Sequence, residues 1–188
     1  MTGEPYIFGI GAGKTASHSL AAALAAMGYS VRHLGNDKFH GRLDVLDAIN
    51  ANIAAGEPPT AGIRGVDAVI DWPIWSQFAE IDASVPGARF ILTYRPPDDC
   101  ALSWCRMIAA QHERVGPGWP RGFVEYGDQV REHNDAVLRH FFGRPDKLLM
   151  LDVRDDDATK WRLLAKFLDR PAPVGSPYPR AFDHKDWQ

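Results

Sequence analysis

The chain has 188 residues, of which 45% are hydrophobic and 24% are charged, and its formal net charge is −3. This length and composition predict one globular domain over 1–188, and the weak negative charge gives no bulk attraction for nucleic acid. No run approaches the roughly 18 apolar residues of a membrane span. The sequence shows no secretory signal, and its two cysteines favour a cytoplasmic protein. Two cysteines without a histidine cluster do not predict a metal site.

The N-terminal stretch predicts a strand, a glycine-rich loop and a helix. Residues 6–10 form an apolar run, and residues 15–27 carry apolar side chains at helical spacing. Between them, glycines occupy alternate positions over 9–13 and are followed by Lys14. A loop without side chains can turn its backbone N–H groups toward a phosphate, the helix N-terminus adds partial positive charge, and Lys14 adds a full one. We therefore expect a phosphate-binding loop.

The glycine spacing excludes two common loops of this kind. A Walker A loop needs a glycine five residues before its Gly-Lys pair, and Phe8 stands there. A dinucleotide-binding G-x-G-x-x-G loop that starts at Gly9 would need its third glycine at Lys14.

Strands and helices alternate along the rest of the chain. Further strands are predicted over 29–34, 67–70, 89–94 and 147–151. Further helices are predicted over 38–55, 75–81, 97–113, 123–142 and 158–168. A loop with several glycines and prolines is predicted over 115–122, and an irregular tail over 170–188. Because the strands are short and apolar on both faces, this alternation predicts an α/β fold in which helices cover both sides of a parallel sheet.

Polar residues follow the predicted strands at the end where such sheets bind ligands. Lys14 and Thr15 follow the first strand, His33 lies near the C-terminal end of the second, Asp71 follows the third and Arg95 follows the fourth. Ligands of open parallel sheets bind beyond the carboxyl ends of the strands, so we expect these side chains to converge on one site.

Two stretches resemble the sulfotransferase family. Its phosphosulfate loop reads K-[ST]-G-T-T/S, and Lys14–His18 match this pattern except that Ala16 replaces the glycine and His18 replaces a hydroxyl residue. In the second stretch, ARFILTYRPPDDCALSW over 88–104, a strand ends at Arg95 and Ser103 follows eight residues later. The family uses an arginine and a serine at this separation to hold the 3′-phosphate of 3′-phosphoadenosine-5′-phosphosulfate (PAPS).

The resemblance implies a small bacterial-type sulfotransferase with a three-layer α/β/α, P-loop NTPase-like fold and no metal requirement. It would move a sulfuryl group from PAPS to a hydroxyl of a small-molecule or peptide acceptor, releasing adenosine 3′,5′-bisphosphate (PAP), with no nucleic acid or membrane partner. The implied cofactor-binding residues are Gly11, Ala12, Gly13, Lys14, Thr15, Ala16, Ser17, His18, Arg95 and Ser103.

The resemblance also implies catalytic roles. Lys14 would neutralise the leaving phosphate. The family's base is a histidine in a strand-end H-L-P, and Asp71-Trp72-Pro73 occupies the matching place, so Asp71 is the candidate base and His33 its rival. The family's C-terminal R-K-G segment is absent, and Arg180 or Lys185 is the candidate replacement.

Two other functions remain open from the residues. Leu148–Asp152 is similar to a Walker B strand, and Thr15 offers a hydroxyl for Mg²⁺, so a P-loop kinase acting on a small molecule is one alternative. The changes at Ala16 and His18 and the missing C-terminal segment leave a non-catalytic nucleotide-binding protein as the other.

Overall fold

The computed structural model, which describes residues 3–110 and 122–181, contains one sheet of five parallel strands. The strands are β1 (Ile7–Gly9), β2 (Val31–His33), β3 (Ala68–Ile70), β4 (Arg89–Tyr94) and β5 (Leu148–Asp152). Their order across the sheet is β2-β3-β1-β4-β5, which places β1 in the middle. The chain therefore leaves β1 at the centre of the sheet edge, and the glycine-rich loop opens there between β3 and β4.

Helices cover both faces of the sheet. They are α1 (Ser17–Ala26), α2 (Leu34–Phe39), α3 (Asp44–Ala55), α4 (Phe78–Ser84), α5 (Pro97–Ala110), α6 (Phe123–His140) and α7 (Asp157–Leu168), with a 3-10 turn at Ile74–Ser76. Successive strand residues point to opposite faces. Accordingly, Phe8 lies in a core with α3, α4 and α6, whereas Ile7 lies in a core with α1 and α7. The predicted α/β fold with a central parallel sheet is confirmed.

The single helix predicted over 38–55 is wrong, because this stretch belongs to two helices. Gly41 adopts a left-handed conformation with φ 68°, and it separates α2 from α3. Asp37 of α2 is buried between two guanidinium groups, those of Arg32 at 2.5 Å and Arg42 at 2.7 Å. The burial of α2 depends on these ion pairs, which apolar periodicity does not detect. The apolar side chains that predicted a helix over 38–55 begin only at Leu43, in the region of α3.

The helix predicted over 75–81 is instead a 3-10 turn at Ile74–Ser76 followed by α4. The other described elements follow their predicted positions within a few residues, and the tail has no regular secondary structure as far as it is described, to Ala181. Tail contacts with α7 are specific: the Trp161 indole N–H donates to the Ser176 carbonyl at 3.0 Å, and Tyr178 packs against the same ring. Residues 111–121, which include most of the predicted loop, lie outside the described residues, as does Lys185. In the described part of the chain, no helix is both long enough and apolar enough to cross a membrane.

Candidate functional site

A cleft of about 850 Å³ lies at the carboxyl ends of β1, β4 and β5. It is lined by Lys14 from the glycine-rich loop, by Arg95 directly after β4 and by Ser103 of α5. The Arg95 guanidinium donates through Nη1 to the Lys14 carbonyl at 3.3 Å. Parallel pairing of β1 with β4 brings these two strand ends together, although the residues are far apart in sequence. The three groups therefore lie on the same side of the molecule and face one cavity.

Side chains hold the carbonyl groups of the glycine-rich loop. Four carbonyls accept such hydrogen bonds: Ile10 from His133 (2.7 Å), Ala12 from Thr15 (2.6 Å), Gly13 from Tyr126 (2.7 Å) and Lys14 from Arg95 (3.3 Å). The C=O and N–H of a planar trans peptide point in opposite directions. Fixing these carbonyls therefore turns the next N–H groups to the other side of the loop. Within residues 3–110 and 122–181, the N–H groups of Gly11, Gly13 and Thr15 meet no acceptor.

The loop also departs from ordinary backbone geometry. Lys14 and Ala16 have φ values of 68° and 69°, and Ala16 lies at the start of α1 in the left-handed conformation. This conformation costs an alanine about 1–2 kcal/mol, whereas glycine adopts it freely. Alternation of left-handed and ordinary residues directs successive N–H groups into a concavity that binds anions. The structure thus gives a physical reason for the glycine that the family pattern has at Ala16.

Replacing Gly11 by alanine is expected to lower the free energy of unfolding by about 2 kcal/mol. An added β-carbon would lie 2.6 Å from Thr15 Oγ1 and 2.7 Å from the Thr93 carbonyl, and it would overlap Thr93 Oγ1 as well. Those two hydroxyls are hydrogen-bonded to each other at 2.7 Å, so both would have to move. Urea unfolding measures the change. The control is Gly87→Ala, since nothing lies within 4 Å of a β-carbon there; equal stabilities of the two variants would contradict the argument.

A second group of polar side chains lies at the carboxyl ends of β2 and β3. His33 contacts Ser17 through Nε2 at 2.9 Å, and its Nδ1 accepts from the Asn36 backbone N–H at 3.2 Å. Because Nδ1 is an acceptor, the proton of the neutral ring is on Nε2, which donates to the Ser17 hydroxyl. Burial lowers the pKa of His33 to about 4, so the ring is neutral near pH 7. Both nitrogens of His33 are thus engaged.

Asp71 lies beside this histidine, with Oδ2 at 3.7 Å from His33 Nδ1. Its side chain keeps 20% exposure, and burial raises the pKa of the carboxyl group, against the opposing effect of hydrogen bonds from the Trp72 and Gly35 backbone. The His18 ring stacks on His33 with a centroid distance of 3.8 Å, and burial followed by the nearby His33 lowers the pKa of His18 to about 4. The arrangement gives one carboxylate that can exchange a proton close to the loop.

Lys14 joins the two groups electrostatically. Burial, and then the charge of Arg95, lower the pKa of Lys14, whereas the Asp71 charge raises it. Two cations held close together in a partly buried cleft repel each other, and a bound anion would relieve this repulsion.

Acidification is expected to destabilise the protein through His33. The folded-state pKa of about 4 lies below the unfolded value of about 6.5, so the contribution of His33 to stability is complete above pH 6.5 and is lost as the pH falls toward 4. The full loss is about 3 kcal/mol, because each tenfold change in proton affinity corresponds to about 1.4 kcal/mol. Urea unfolding at pH 7 and pH 4.5 should show a shallower pH dependence in His33→Asn, which keeps an acceptor for the Asn36 N–H. Because Asp71 and His18 remain in both proteins, equal pH dependences would rule out this role of His33.

The structure brings the sequence-predicted site residues to one edge of the sheet in two groups. Lys14, Ala16, Arg95 and Ser103 line the large cleft, and Ser17, His18, His33 and Asp71 lie at the ends of β2 and β3. Thr15 is fully buried and supports the loop from inside. Sequence reasoning missed the two α6 side chains that bond to the loop, Tyr126 and His133. The only signal was their spacing of seven residues on one side of a helix, together with Val130 and Val137.

Comparison with known proteins identifies a family and a shared fold. The family model described as "Sulfotransferase domain" matches residues 6–128 and 121–187. A search of the curated proteins found no significant sequence match. A crystal structure of a sulfotransferase from Alicyclobacillus acidocaldarius matches 95% of this chain and 85% of that chain with a TM-score of 0.51 and 15% identity, which shows a shared fold. Since the family model extends over nearly the whole sequence, the chain belongs to the sulfotransferase family.

Proposed function

We propose that the protein is a PAPS-dependent transferase that moves a sulfuryl group to a hydroxyl of a small-molecule or peptide acceptor. The observation that carries this proposal is the meeting of Lys14, Arg95 and Ser103 in one cleft, with Arg95 bonded to the Lys14 carbonyl. A nucleoside with anionic groups at both its 3′ and 5′ positions needs two separate cationic sites. The volume of about 850 Å³ lies within the usual range of ligand pockets.

The side chains present fit this cofactor at both ends. Lys14 and the N–H groups of the loop would hold the 5′-phosphosulfate. Arg95 and Ser103 would hold the 3′-phosphate, because a guanidinium offers two parallel charge-assisted hydrogen bonds. Arg180 lines the same cleft, so it is the described candidate for the role of the missing C-terminal segment.

Tail contacts support this role of Arg180. The Ala181 N–H donates to Ser19 Oγ at 3.2 Å, and Lys160 lies over the Tyr178 ring at 5.4 Å. These bonds hold residues 178–181 against α1 and α7, where they form one wall of the cleft. The tail thus supplies a cation to the cleft without forming a helix or strand.

The residues of the two groups have complementary chemical tasks. Bound PAPS supplies the activated sulfuryl group together with a phosphate as its leaving group. Lys14 and the loop N–H groups stabilise the negative charge that develops on that phosphate. Asp71 accepts the proton of the acceptor hydroxyl, and its raised pKa brings it closer to neutral pH, where a general base is most effective. His33 is not assigned as the base, because both of its ring nitrogens are already hydrogen-bonded. Its role is to position Ser17, and it lies beside Asp71.

Two contacts count against the kinase alternative. Thr15, which would have to bind Mg²⁺, is fully buried and bonds to the Ala12 carbonyl and to Thr93. Asp152, at the end of the Walker B-like strand, forms a bidentate ion pair with Arg154, with 2.5 Å between Arg154 Nη2 and Asp152 Oδ2. Both groups would have to break these contacts to hold a metal with ATP.

Calorimetric titration with PAP and, separately, with ATP and Mg²⁺ tests the proposal. We expect PAP to bind at least tenfold more tightly, because ATP has no 3′-phosphate for Arg95; tighter binding of ATP would refute the sulfotransferase assignment. Transfer from labelled PAPS to a panel of phenols, sugars and hydroxyl-containing peptides then tests catalysis. PAP binding without transfer to any member of the panel would favour the non-catalytic alternative.

A further inference from the structure

Helix α6 reaches the glycine-rich loop with two side chains. The Tyr126 hydroxyl donates to the Gly13 carbonyl at 2.7 Å, and His133 Nε2 contacts the Ile10 carbonyl at 2.7 Å. Since a carbonyl can only accept, the proton of His133 is on Nε2. Both side chains are buried, with 3% and 8% exposure. Their spacing of seven residues is two helical turns, so they lie on the same side of α6.

The Tyr126 contact leaves little freedom on either side. The Tyr126 ring stacks on Trp104 of α5, with a centroid distance of 4.2 Å and an interplanar angle of 15°. On the loop side, a β-carbon at Gly13 would lie 2.7 Å from the Tyr126 hydroxyl oxygen, so only glycine lets the loop approach this closely. The loop and the two helices therefore meet without a gap at this point.

The same helix pair carries the other half of the cleft. Ser103 precedes the stacked Trp104 on α5, and Arg95 lies two residues before the start of that helix. Helices α5 and α6 pack against each other at Gly127, where an added β-carbon would be in ordinary van der Waals contact with Ala101 Cβ at 3.6 Å. A shift of α6 against α5 would thus change the loop relative to Ser103.

We propose that Tyr126 and His133 are positioning residues, which orient the peptide groups of the loop so that their N–H bonds face the 5′ end of the bound nucleotide. This inference rests on the proposed function and adds α6 to the site. A carbonyl held from the α6 side turns the N–H of the same peptide group the opposite way. The bond to Gly13 orients the Gly13–Lys14 peptide, and the bond to Ile10 orients the Ile10–Gly11 peptide. Neither side chain need touch the nucleotide.

The protonation states required for these bonds hold over a wide pH range. Burial raises the pKa of the Tyr126 phenol, so its hydroxyl keeps the proton that it donates. Burial lowers the pKa of His133, against the effect of its bond to Ile10. The ring has Trp75 and Phe78 as aromatic neighbours, at centroid distances of 4.8 and 5.9 Å.

Tyr126→Phe tests the inference, because it removes the hydroxyl and keeps the ring on Trp104. We expect the affinity for PAP to fall about fivefold to tenfold, as for the loss of one hydrogen bond in a binding site. The affinity for adenosine 3′-phosphate should stay within about twofold, because the 3′ end relies on Arg95 and Ser103. The matched control is Tyr29→Phe, which removes the hydroxyl of a buried tyrosine whose ring packs edge-on against Tyr6 on the α1 side of the sheet.

Thermal unfolding of both variants separates positioning from general destabilisation. We expect similar shifts in Tm for Tyr126→Phe and Tyr29→Phe, with weaker PAP binding only in the former. An unchanged PAP affinity in Tyr126→Phe, or an equal loss for adenosine 3′-phosphate, would overturn the inference while the proposed function stands. A wild-type protein that does not bind PAP would overturn the proposed function and this inference with it.

His133 is tested by rescue. His133→Leu removes the donor to Ile10 and should weaken PAP binding about fivefold. His133→Gln places an amide N–H near the former Nε2 and should restore the affinity to within about twofold of wild type. Equal affinities of the leucine and glutamine variants would show that the Ile10 bond does not position the loop.

Discussion

Replacing Lys14 by methionine is expected to lower kcat for sulfuryl transfer by about 10²- to 10³-fold, which is the usual effect of removing one group that stabilises developing negative charge. The acceptor need not be known, because release of PAP from PAPS in the presence of water or a simple phenol reports the same step. Stability should not fall with activity. Burial and the neighbouring Arg95 charge lower the pKa of Lys14, so holding the charged ammonium in the cleft costs stability.

Lys166→Met is the matched control, because Lys166 is an exposed lysine on α7. This control should keep the wild-type rate. If Lys14→Met keeps a rate within about threefold of wild type, Lys14 does not act on the leaving group. If its rate falls only together with its Tm, the lysine supports the fold rather than the reaction.

Replacing Arg95 by methionine is expected to weaken PAP binding by about 30- to 100-fold, since a hydrogen bond to a charged group contributes about 1.5–3 kcal/mol and the guanidinium can make two. Adenosine 5′-phosphate should lose only about threefold, through the Arg95 bond to the Lys14 carbonyl. The PAP affinity of Arg95→Lys should lie between those of wild type and Arg95→Met, because lysine keeps the charge and loses the planar pair of donors.

The control for Arg95 lies on the same strand. Arg89 begins β4 at the opposite end from the cleft and donates to the Phe167 carbonyl at 2.7 Å. Arg89→Met should lower the Tm without changing the PAP affinity, as measured by calorimetry. Equal losses for PAP and adenosine 5′-phosphate in Arg95→Met would contradict a 3′-phosphate role and leave Arg95 as a support of the loop.

The agreement between the sequence and the structure is best where the signal is local. The glycines before Lys14 and the apolar period after it predict strand, loop and helix, and the structure has β1, the loop and α1 there. The prolines after Arg95 predict both the end of β4 and the start of α5. A pattern of this kind depends on residues within one or two turns, whose conformation is set by neighbours in the chain.

Prediction failed where burial depends on partners distant in the sequence or on polar contacts. Asp37 is buried with two ion pairs, and the helix break at Gly41 lies between Asp37 and α3. His133 had no assigned role, because a lone histidine in a helix gives no sign that it faces a loop more than a hundred residues earlier. For the same reason, the engagement of both His33 nitrogens, on which the proposal of Asp71 as the base depends, became apparent only from the contacts.

Sequence alone determined the order of the strands and the strand, loop and helix around Lys14, because these follow from short-range periodicity and spacing. The motifs at Lys14 and Arg95 also carried the resemblance to sulfotransferases. Only the tertiary structure decided that Arg95 bonds to the Lys14 carbonyl and that two side chains of α6 bond to the carbonyls of the loop. Those contacts depend on which strands pair and which helix faces pack, and the physical cause is the burial of two apolar cores on opposite sides of one parallel sheet.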